Sequence, residues 1–275
     1  KGNASRRGES TPNNEWGYGL ASLPSLTPDS PTNAAATTTI GLAKAVINWN
    51  APSADGGEDI SQYTVSGSPG DFIATTTPFG SSGKVITDIS ASNDTLSSSA
   101  VDADGKLIFV GETHNGSNYD FVVARYTAYG VLDTSFGTGG TTTTAFGNGD
   151  DKATDVILDS FGRIVVSGYT NNGSDYDFAV ARYDMDGNLD TTFSTDGKLT
   201  IDFYSDIDIA EGIALDGSEN IIIAGYAYED GNVDVAVVRI DSDGTLDTSF
   251  SLDGKTSVGF GQSTDIAWDV VVDSD

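Results

Sequence analysis

The stretch ARYDMDGNLDTTFSTDGKLT, residues Ala181 to Thr200, decides the fold because its pattern returns at a fixed distance along the chain. Its central phrase ends at Phe193, and matching phrases end at Phe79, Phe136 and Phe250, so that each step is 57 residues. The same step separates residues of three other kinds: Asp102, Asp159, Asp216 and Asp273; Gly111, Gly168 and Gly225; and Arg125, Arg182 and Arg239. A constant period without insertions predicts tandem copies of one structural unit.

Each copy contains four short apolar runs, and clusters of Gly, Asn, Asp or Ser separate them. Such runs predict β-strands joined by turns. In the copy that holds the quoted stretch, the predicted strands cover residues 153–159, 163–170, 177–183 and 198–203. Four antiparallel strands in each unit, stacked face to face, are typical of a β-propeller blade. The sequence therefore predicts an all-β fold of tandem four-stranded β-propeller-type blades.

The third predicted strand has two different apolar faces. Phe178 and Val180 are bulky and fall on one face, whereas Ala179 and Ala181 are small and fall on the other. Apolar residues on both faces indicate a sheet that is covered on both sides. The asymmetry favours sheets that stack closely on one another.

The number of copies predicts that the ring is not complete. The repeats cover residues 75–131, 132–188 and 189–245, and part of a fourth covers 246–275. The first starts in the last strand of a blade, at residues 83–89, and the chain ends after the first strand of another, at 267–272. Closed propellers usually have about four to eight blades, so we expect an open or incomplete propeller. Unpaired edges favour association, and three arrangements stay open: a piece of a longer chain, several chains that share one ring, or an array that grows into a filament.

The residues ahead of the repeats differ in composition. Residues 1–33 are rich in Pro, Ser, Thr and Asn without an apolar period, which predicts a linker or an extended arm. Residues 34–74 contain AVINWNAPSADGGEDISQYTVSGSPG (Ala45 to Gly70), where apolar alternation predicts two strands. This segment resembles the front part of a fibronectin type III sandwich, with Trp49 at the core-tryptophan position and Tyr63 in the following strand. The resemblance implies a short fibronectin type III-like β segment that precedes the blades.

The repeats carry a resemblance of their own. The stretch from Ala181 to Thr200 and its copy VVRIDSDGTLDTSFSLDGKT, from Val237 to Thr256, resemble the delta-60 repeat family of large bacterial proteins. The resemblance covers about residues 75–275. It implies a propeller-like fold and a location that is secreted or at the cell surface.

The chain is strongly acidic, since 13 Lys and Arg residues against 41 Asp and Glu residues give a net charge of −28. Such a charge repels phosphate backbones and anionic lipids, so we expect no nucleic-acid partner. No apolar run approaches the roughly 18 residues that a transmembrane helix needs, so we expect no membrane insertion. The chain has no cysteine, which excludes thiolate metal sites. Bound cations would relieve the repulsion between carboxylates, which makes a divalent ion the first ligand to consider.

Two turns carry acidic residues in a pattern that suits calcium. In Asp184-Met185-Asp186-Gly187, two carboxylates stand two residues apart and a glycine follows, with Asp190 three residues beyond it. Calcium prefers several oxygen ligands of this kind. The predicted metal ligands are Asp184, Asp186, Asp190, Asp241, Asp243 and Asp247. The alternative is a hairpin turn whose aspartates bond their own backbone, and the first copy favours it because Thr127-Ala128-Tyr129-Gly130 keeps only the glycine.

An arginine ends one strand of each copy, and an aspartate follows it eight residues later. The pairs are Arg125 with Asp133, Arg182 with Asp190, and Arg239 with Asp247. Identical placement in every copy predicts a structural ion pair, and a ring of arginines that binds an anion is the alternative. His114 is the only histidine, and no G-x-S-x-G turn accompanies it, so we expect no catalytic triad.

Two functions from different classes stay open. The tandem copies, the acidity and the lack of a catalytic motif favour a non-enzymatic extracellular or cell-surface module, an adhesion or assembly scaffold stiffened by calcium. Its expected partners are copies of itself or the remainder of a longer chain, and surface carbohydrate. The alternative is a propeller enzyme or lectin that acts on carbohydrate through acids gathered at a central channel. Acids unique to one copy would favour the enzyme, whereas most acids here recur in every copy.

Overall fold

The computed structural model describes residues 83–90, 92–229, 231–261 and 264–273, and also the backbone of five short strands nearer the N-terminus. The chain divides into two units, residues 1–85 and residues 86–275. No helix occurs among the described residues of either unit, as the all-β prediction requires. In the same residues, no helix is long and apolar enough to cross a membrane.

The described backbone of the first unit forms two small antiparallel sheets. Its strands are β1 (Ala21–Ser22), β2 (Thr32–Thr38), β3 (Ala45–Asn50), β4 (Tyr63–Val65) and β5 (Ala74–Thr76). Strand β2 pairs with β3, and β4 pairs with β1 and β5. Trp49 lies in β3 and Tyr63 begins β4, where the sequence predicts strands. The rest of the predicted arm over 1–33 and of the segment over 34–74 lies outside the described residues, and the fibronectin likeness stays a prediction.

The second unit contains three four-stranded antiparallel sheets, which we call blades 1 to 3, and the strands of each lie side by side in chain order. Blade 1 contains β6 (Asp94–Val101), β7 (Leu107–His114), β8 (Tyr119–Tyr126) and β9 (Thr141–Thr144); blade 2 contains β10 (Asp151–Leu158), β11 (Ile164–Asn171), β12 (Tyr176–Tyr183) and β13 (Lys198–Ile201); blade 3 contains β14 (Asp208–Leu215), β15 (Ile221–Glu229), β16 (Asn232–Ile240) and β17 (Lys255–Val258). The four predicted strands of the middle copy are confirmed, with ends that differ by about two residues or fewer.

A β-bulge interrupts the first strand of every blade at the same place, for example between Ala153 and Asp155 in blade 2. Beside it the second strand carries the repeated glycine, because the two backbones come very close. A Cβ on Gly168 would lie 2.1 Å from the backbone oxygen of Lys152, and Gly111 and Gly225 face the same obstacle. The periodic glycine is therefore required by close approach at the bulge.

Apolar side chains fill a seam between blades 1 and 2 and another between blades 2 and 3. Phe178 and Val180 of β12 lie in the seam with blade 3, whereas Ala179 and Ala181 lie in the seam with blade 1. The predicted large and small faces are thus confirmed. Burial of each large side chain contributes about 1.5–3 kcal/mol, so the blades are held together mainly by the seams.

Two strands predicted at the ends of the repeat region are not formed. Residues 83–89 carry one isolated bridge at Lys84, and residues 264–273 carry no strand. In the repeat, residues 267–272 are equivalent to residues 210–215 of β14, which pair with β15. Residues 267–272 lie instead against blade 3, where the N–H of Ala267 donates to the backbone oxygen of Gly225 at 3.3 Å. The three blades do not form a closed ring.

Candidate functional site

A corner of arginine, aspartate and phenylalanine closes each blade after its third strand. In blade 2, Nε of Arg182 donates to Oδ2 of Asp190 at 2.9 Å, and its guanidinium carbon lies 4.8 Å from the ring centre of Phe193. Both Arg182 and Phe193 are buried. The same hydrogen bonds join Arg125 to Asp133 at 2.9 Å and Arg239 to Asp247 at 2.6 Å. The predicted ion pairs are confirmed.

Each corner also binds the following blade. Nη1 of Arg182 donates to the backbone oxygen of Ser242, and the N–H of Ser194 donates to the backbone oxygen of Asp243 at 2.8 Å. A Cβ on Gly244 would lie 2.5 Å from the Ser194 nitrogen, so the turn needs its glycine to sit this close. We call this set of contacts the interblade lock.

The interblade lock is repeated one blade earlier. Nη1 of Arg125 donates to the backbone oxygen of Met185, and the N–H of Gly137 donates to that of Asp186 at 2.7 Å. A Cβ on Gly187 would lie 2.8 Å from the ring of Phe136. The acidic turn that the sequence predicts as a calcium site is thus the element through which each blade docks on its predecessor.

The six aspartates predicted to bind calcium lie in or beside these docking turns. Oδ1 of Asp184 accepts the N–H groups of Asp186 and Asn188, both at 2.9 Å, while Asp190 and Asp247 bond arginines. None of the six belongs to the one group of three acidic side chains, among the described residues, whose oxygens lie within 4.8 Å of one another. Calcium binding at these turns stays a prediction.

An aspartate begins the first strand of every blade, and it is buried in blades 2 and 3 and half-buried in blade 1. Oδ2 of each accepts a backbone N–H from the segment that precedes the blade: Ile89 to Asp94 at 2.9 Å, Phe146 to Asp151 at 2.8 Å, and Phe203 to Asp208 at 2.6 Å. In blades 1 and 2 the other carboxylate oxygen, Oδ1, accepts a hydrogen bond from a threonine hydroxyl: Thr113 donates to Asp94, and Thr170 donates to Asp151. These carboxylates fix the chain where it enters a new blade.

Blade 3 departs from this pattern at two positions. Ala227 stands where the earlier blades have the threonine, so Oδ1 of Asp208 has no hydrogen-bond partner although the residue is fully buried. Asp202, in the connection that leads into blade 3, stands where the preceding copy has Ala145. The first change removes a donor, and the second adds a negative charge.

Asp202 and Asp208 meet Asp177 of β12 where blade 2 adjoins blade 3, and we call these three residues the interblade acidic cluster. One carboxylate oxygen of each lies within 4.8 Å of the other two. Asp177 is 7% exposed, and its Oδ1 has no partner, while its Oδ2 accepts from Asn172 at 2.9 Å. A buried polar atom without a partner costs about 1–3 kcal/mol. The cluster therefore holds two such oxygens beside a third carboxylate.

Electrostatics in the cluster disfavour negative charge. Burial, aided by the carboxylates of Asp202 and Asp177, raises the pKa of Asp208 to about 7, although the N–H of Phe203 opposes the shift. Burial also raises the pKa of Asp177, with help from Asp202, while the Asn172 amide opposes it. In the described part of the chain, no Lys or Arg nitrogen lies within 4.0 Å of these three carboxylates. Within the described residues the three carboxylates therefore have no ion-pair partner.

Sequence reasoning did not single out the interblade acidic cluster. Its signal lies in the differences between copies, because position 227 departs from two threonines and position 202 from an alanine. Those differences indicate a site only once the structure shows that the carboxylates of Asp177 and Asp208 lie close together, although the residues are 31 positions apart and belong to different blades.

Three segments of the chain, residues 103–136, 162–193 and 220–250, match a family described as "Domain of unknown function (DUF5122) beta-propeller". Each segment includes the second and third strands of a blade and ends at the phenylalanine of its corner. The match is consistent with a propeller-like repeat family and agrees with the three blades. Among curated proteins, none matches this chain.

Proposed function

We propose that this chain is part of a non-enzymatic scaffold that is extended by repeated blades. The acidic turn of each blade binds the corner of the blade before it. The observation that carries this proposal is the interblade lock, which uses the same arginine and backbone groups at both blade junctions. A contact that is identical at every junction can be extended by another blade of the same kind.

The corner of blade 3 supports the proposal because it lacks the next turn among the described residues. Arg239 donates there to Asp247 and to Ser249. Its side chain is 27% exposed, against 8% for Arg125 and 2% for Arg182. Beyond this corner, Phe260, Trp268 and Val271 are 78%, 70% and 87% exposed. An arginine with free donor capacity, on a blade that also exposes apolar side chains, suits the docking of a further blade.

The partner that fits this corner is a turn of the same construction. The first blade carries one, Thr127-Ala128-Tyr129-Gly130, whose glycine has a φ of 76° against 87° for Gly187. A second copy of the chain, or a following repeat of a longer chain, supplies such a turn. We also propose surface carbohydrate as a partner in adhesion and a secreted or cell-surface location, which the delta-60 resemblance supports.

Sedimentation velocity over a wide concentration range tests assembly. We expect the chain to form concentration-dependent oligomers, and we expect Arg239→Ala to shift them towards the monomer because the lock loses its donor. Arg163→Ala is the matched control, since it removes an arginine of similar exposure, 24%, away from the open corner. A compact monomer at every concentration, or equal loss of assembly in both variants, would contradict the proposal.

A further inference from the structure

The interblade acidic cluster has the ligands of a cation site. All of its candidate donors are carboxylate oxygens, which hard divalent ions such as Ca²⁺ and Mg²⁺ prefer over nitrogen or sulfur. We propose that Asp177, Asp202 and Asp208 bind one divalent cation, which ties the connection between blades 2 and 3 to β12 and β14. This site is separate from the turn aspartates, and it does not depend on the proposed assembly through Arg239.

Two unpartnered oxygens distinguish this cluster from an ordinary acidic patch. Oδ1 of Asp208 and Oδ1 of Asp177 have no hydrogen-bond donor, and both residues are more than nine-tenths buried. Buried polar atoms in native proteins are nearly always satisfied by protein, water or an ion. A cation at the cluster satisfies both atoms and offsets the repulsion among three carboxylates.

The equivalent junction between blades 1 and 2 lacks the same set. Asp120 and Asp151 are present there, but Ala145 replaces the third carboxylate and Thr170 donates to Asp151. After blade 3 the equivalent position is Gly259, where a Cβ would lie 2.5 Å from a carboxylate oxygen of Asp234. Within the described residues, three carboxylates therefore converge only at the junction of blades 2 and 3.

The ammonium of Lys255 contacts the backbone of Asp202, but it forms no ion pair with the carboxylates of the cluster. Nζ of Lys255 donates to the backbone oxygen of Asp202 at 2.7 Å and lies 5.3 Å from the ring centre of Phe203. Lys198 makes the same contact with the backbone oxygen of Ala145 at 3.0 Å in the preceding copy. The lysine therefore belongs to the repeated framework, and the carboxylates of the cluster are left to bind another cation.

Calorimetric titration of the metal-free chain with CaCl₂, and separately with MgCl₂, measures the number of ions bound. We expect one ion for each chain at this site. At a free ion concentration about one hundred times the dissociation constant, the melting temperature should rise by roughly 5 to 10 °C. No heat of binding and no rise in melting temperature with either ion would overturn the proposal.

Asp202→Ala tests the location, because Asp202 is exposed and its removal reproduces the alanine of the preceding copy. We expect the affinity to fall by roughly a hundredfold as one charged ligand is lost. Ala227→Thr restores the hydroxyl partner of Asp208 and should lower the affinity by about tenfold or more. Circular dichroism verifies that both variants keep the blades.

Asp184→Ala is the matched control, because it removes a turn aspartate and leaves the cluster intact. If calcium stabilisation survives in Asp202→Ala and is lost in Asp184→Ala, the ion binds at the docking turn and the proposal is wrong. The reverse result assigns the ion to the cluster. Assembly measured with Arg239→Ala is a separate outcome, since Arg239 bonds neither Asp184 nor any member of the interblade acidic cluster.

Transplanting the cluster gives a positive test. The double variant Ala145→Asp/Thr170→Ala supplies the missing carboxylate and frees Oδ1 of Asp151, while Asp120 already has an oxygen without a partner. We expect the calcium stoichiometry to rise from one to two. A stoichiometry that stays at one in a folded double variant would show that three converging carboxylates are not enough, against the proposal.

Discussion

Thr195 is a β-branched residue held at a φ of 83°, in the left-handed region. Its Cβ then crowds the backbone, which costs roughly 1–2 kcal/mol. The side chain is exposed, so nothing it touches offsets this strain. The conformation is imposed by the corner that follows Phe193, where Ser194 turns with a φ of 50° to reach the docking turn of blade 3.

We therefore predict that Thr195→Gly stabilises the protein. Glycine adopts this φ without strain, although the unfolded chain gains freedom worth about 0.5–1 kcal/mol. The net gain should be about 1 kcal/mol, or roughly 2 to 4 °C in melting temperature. Thermal unfolding followed by circular dichroism measures it.

The preceding copy offers the control for this prediction. Thr138 is the equivalent residue, and it does not lie in the left-handed region. Its N–H donates to the backbone oxygen of Thr141 at 2.8 Å. Thr138→Gly should therefore lower the melting temperature. Equal effects of the two substitutions would contradict the strain at Thr195.

Single residues also show how far sequence alone can lead. Gly168 and Arg182 could be predicted as structural residues, because the same residue type recurs at the same position of every copy. The unpartnered oxygen of Asp208 could not, because it results from Ala227, which departs from the pattern. Repetition identifies the structural residues that all blades share, whereas the interblade acidic cluster depends on residues that differ in blade 3.

At the scale of the element, the corner joins one blade internally and also binds the next. Its aspartates are held as carboxylates. Burial alone would raise the pKa of Asp190, but hydrogen bonds from Thr192 and from Arg182 hold the pKa below its usual value. The Ser135 hydroxyl and the Lys106 ammonium likewise lower the pKa of Asp133. Because the folded-state pKa values are lowered, these groups stabilise the fold above the unfolded pKa near 3.9.

We predict that Asp190→Asn lowers stability at neutral pH by about 2 to 3 kcal/mol, because buried Arg182 loses its charged partner. The difference between the variant and the wild type should shrink as pH falls below about 4, because the unfolded wild-type carboxylate takes up a proton there and the folded one follows at its lower pKa. Urea unfolding at several pH values, without divalent ions, measures both effects.

The last corner provides the matched comparison. Asp247→Asn makes the same change beside Arg239, whose side chain is 27% exposed and can be hydrated when its partner is lost. We expect a smaller loss of stability there than at Asp190. A larger loss at Asp247, or a difference at Asp190 that does not depend on pH, would contradict this account of the corner.

Most strands of the blades could be predicted, because they are short runs between turn residues, although the strands predicted at 83–89 and 267–272 are not formed. The contacts between elements could not. Arg182 binds the backbone of Ser242, which is 60 residues away. Every residue has a backbone oxygen, so the residue types do not indicate which oxygen accepts. The docking turn could therefore be recognised as a turn, whereas its binding partner required the fold.

At the scale of the whole molecule, the chain carries a net charge of −28, although its blades must bury their faces on each other. The described ion pairs account for few of the carboxylates, so most negative charges repel one another across the surface. Salt shortens the reach of this repulsion from about 30 Å at 0.01 M to about 3 Å at 1 M. The buried pair of Arg182 and Asp190 is screened much less than exposed charges are.

We predict that the melting temperature rises when NaCl is increased over that range, because screening removes more repulsion than attraction. Choline chloride at equal ionic strength should give the same rise, since no particular cation is required. A fall in melting temperature would show that ion pairs outweigh the repulsion, and a rise with NaCl alone would indicate bound sodium. Calcium at the interblade acidic cluster should act differently: at constant ionic strength it should stabilise the wild type further and stabilise Asp202→Ala much less. This comparison separates binding at one site from a general response to charge.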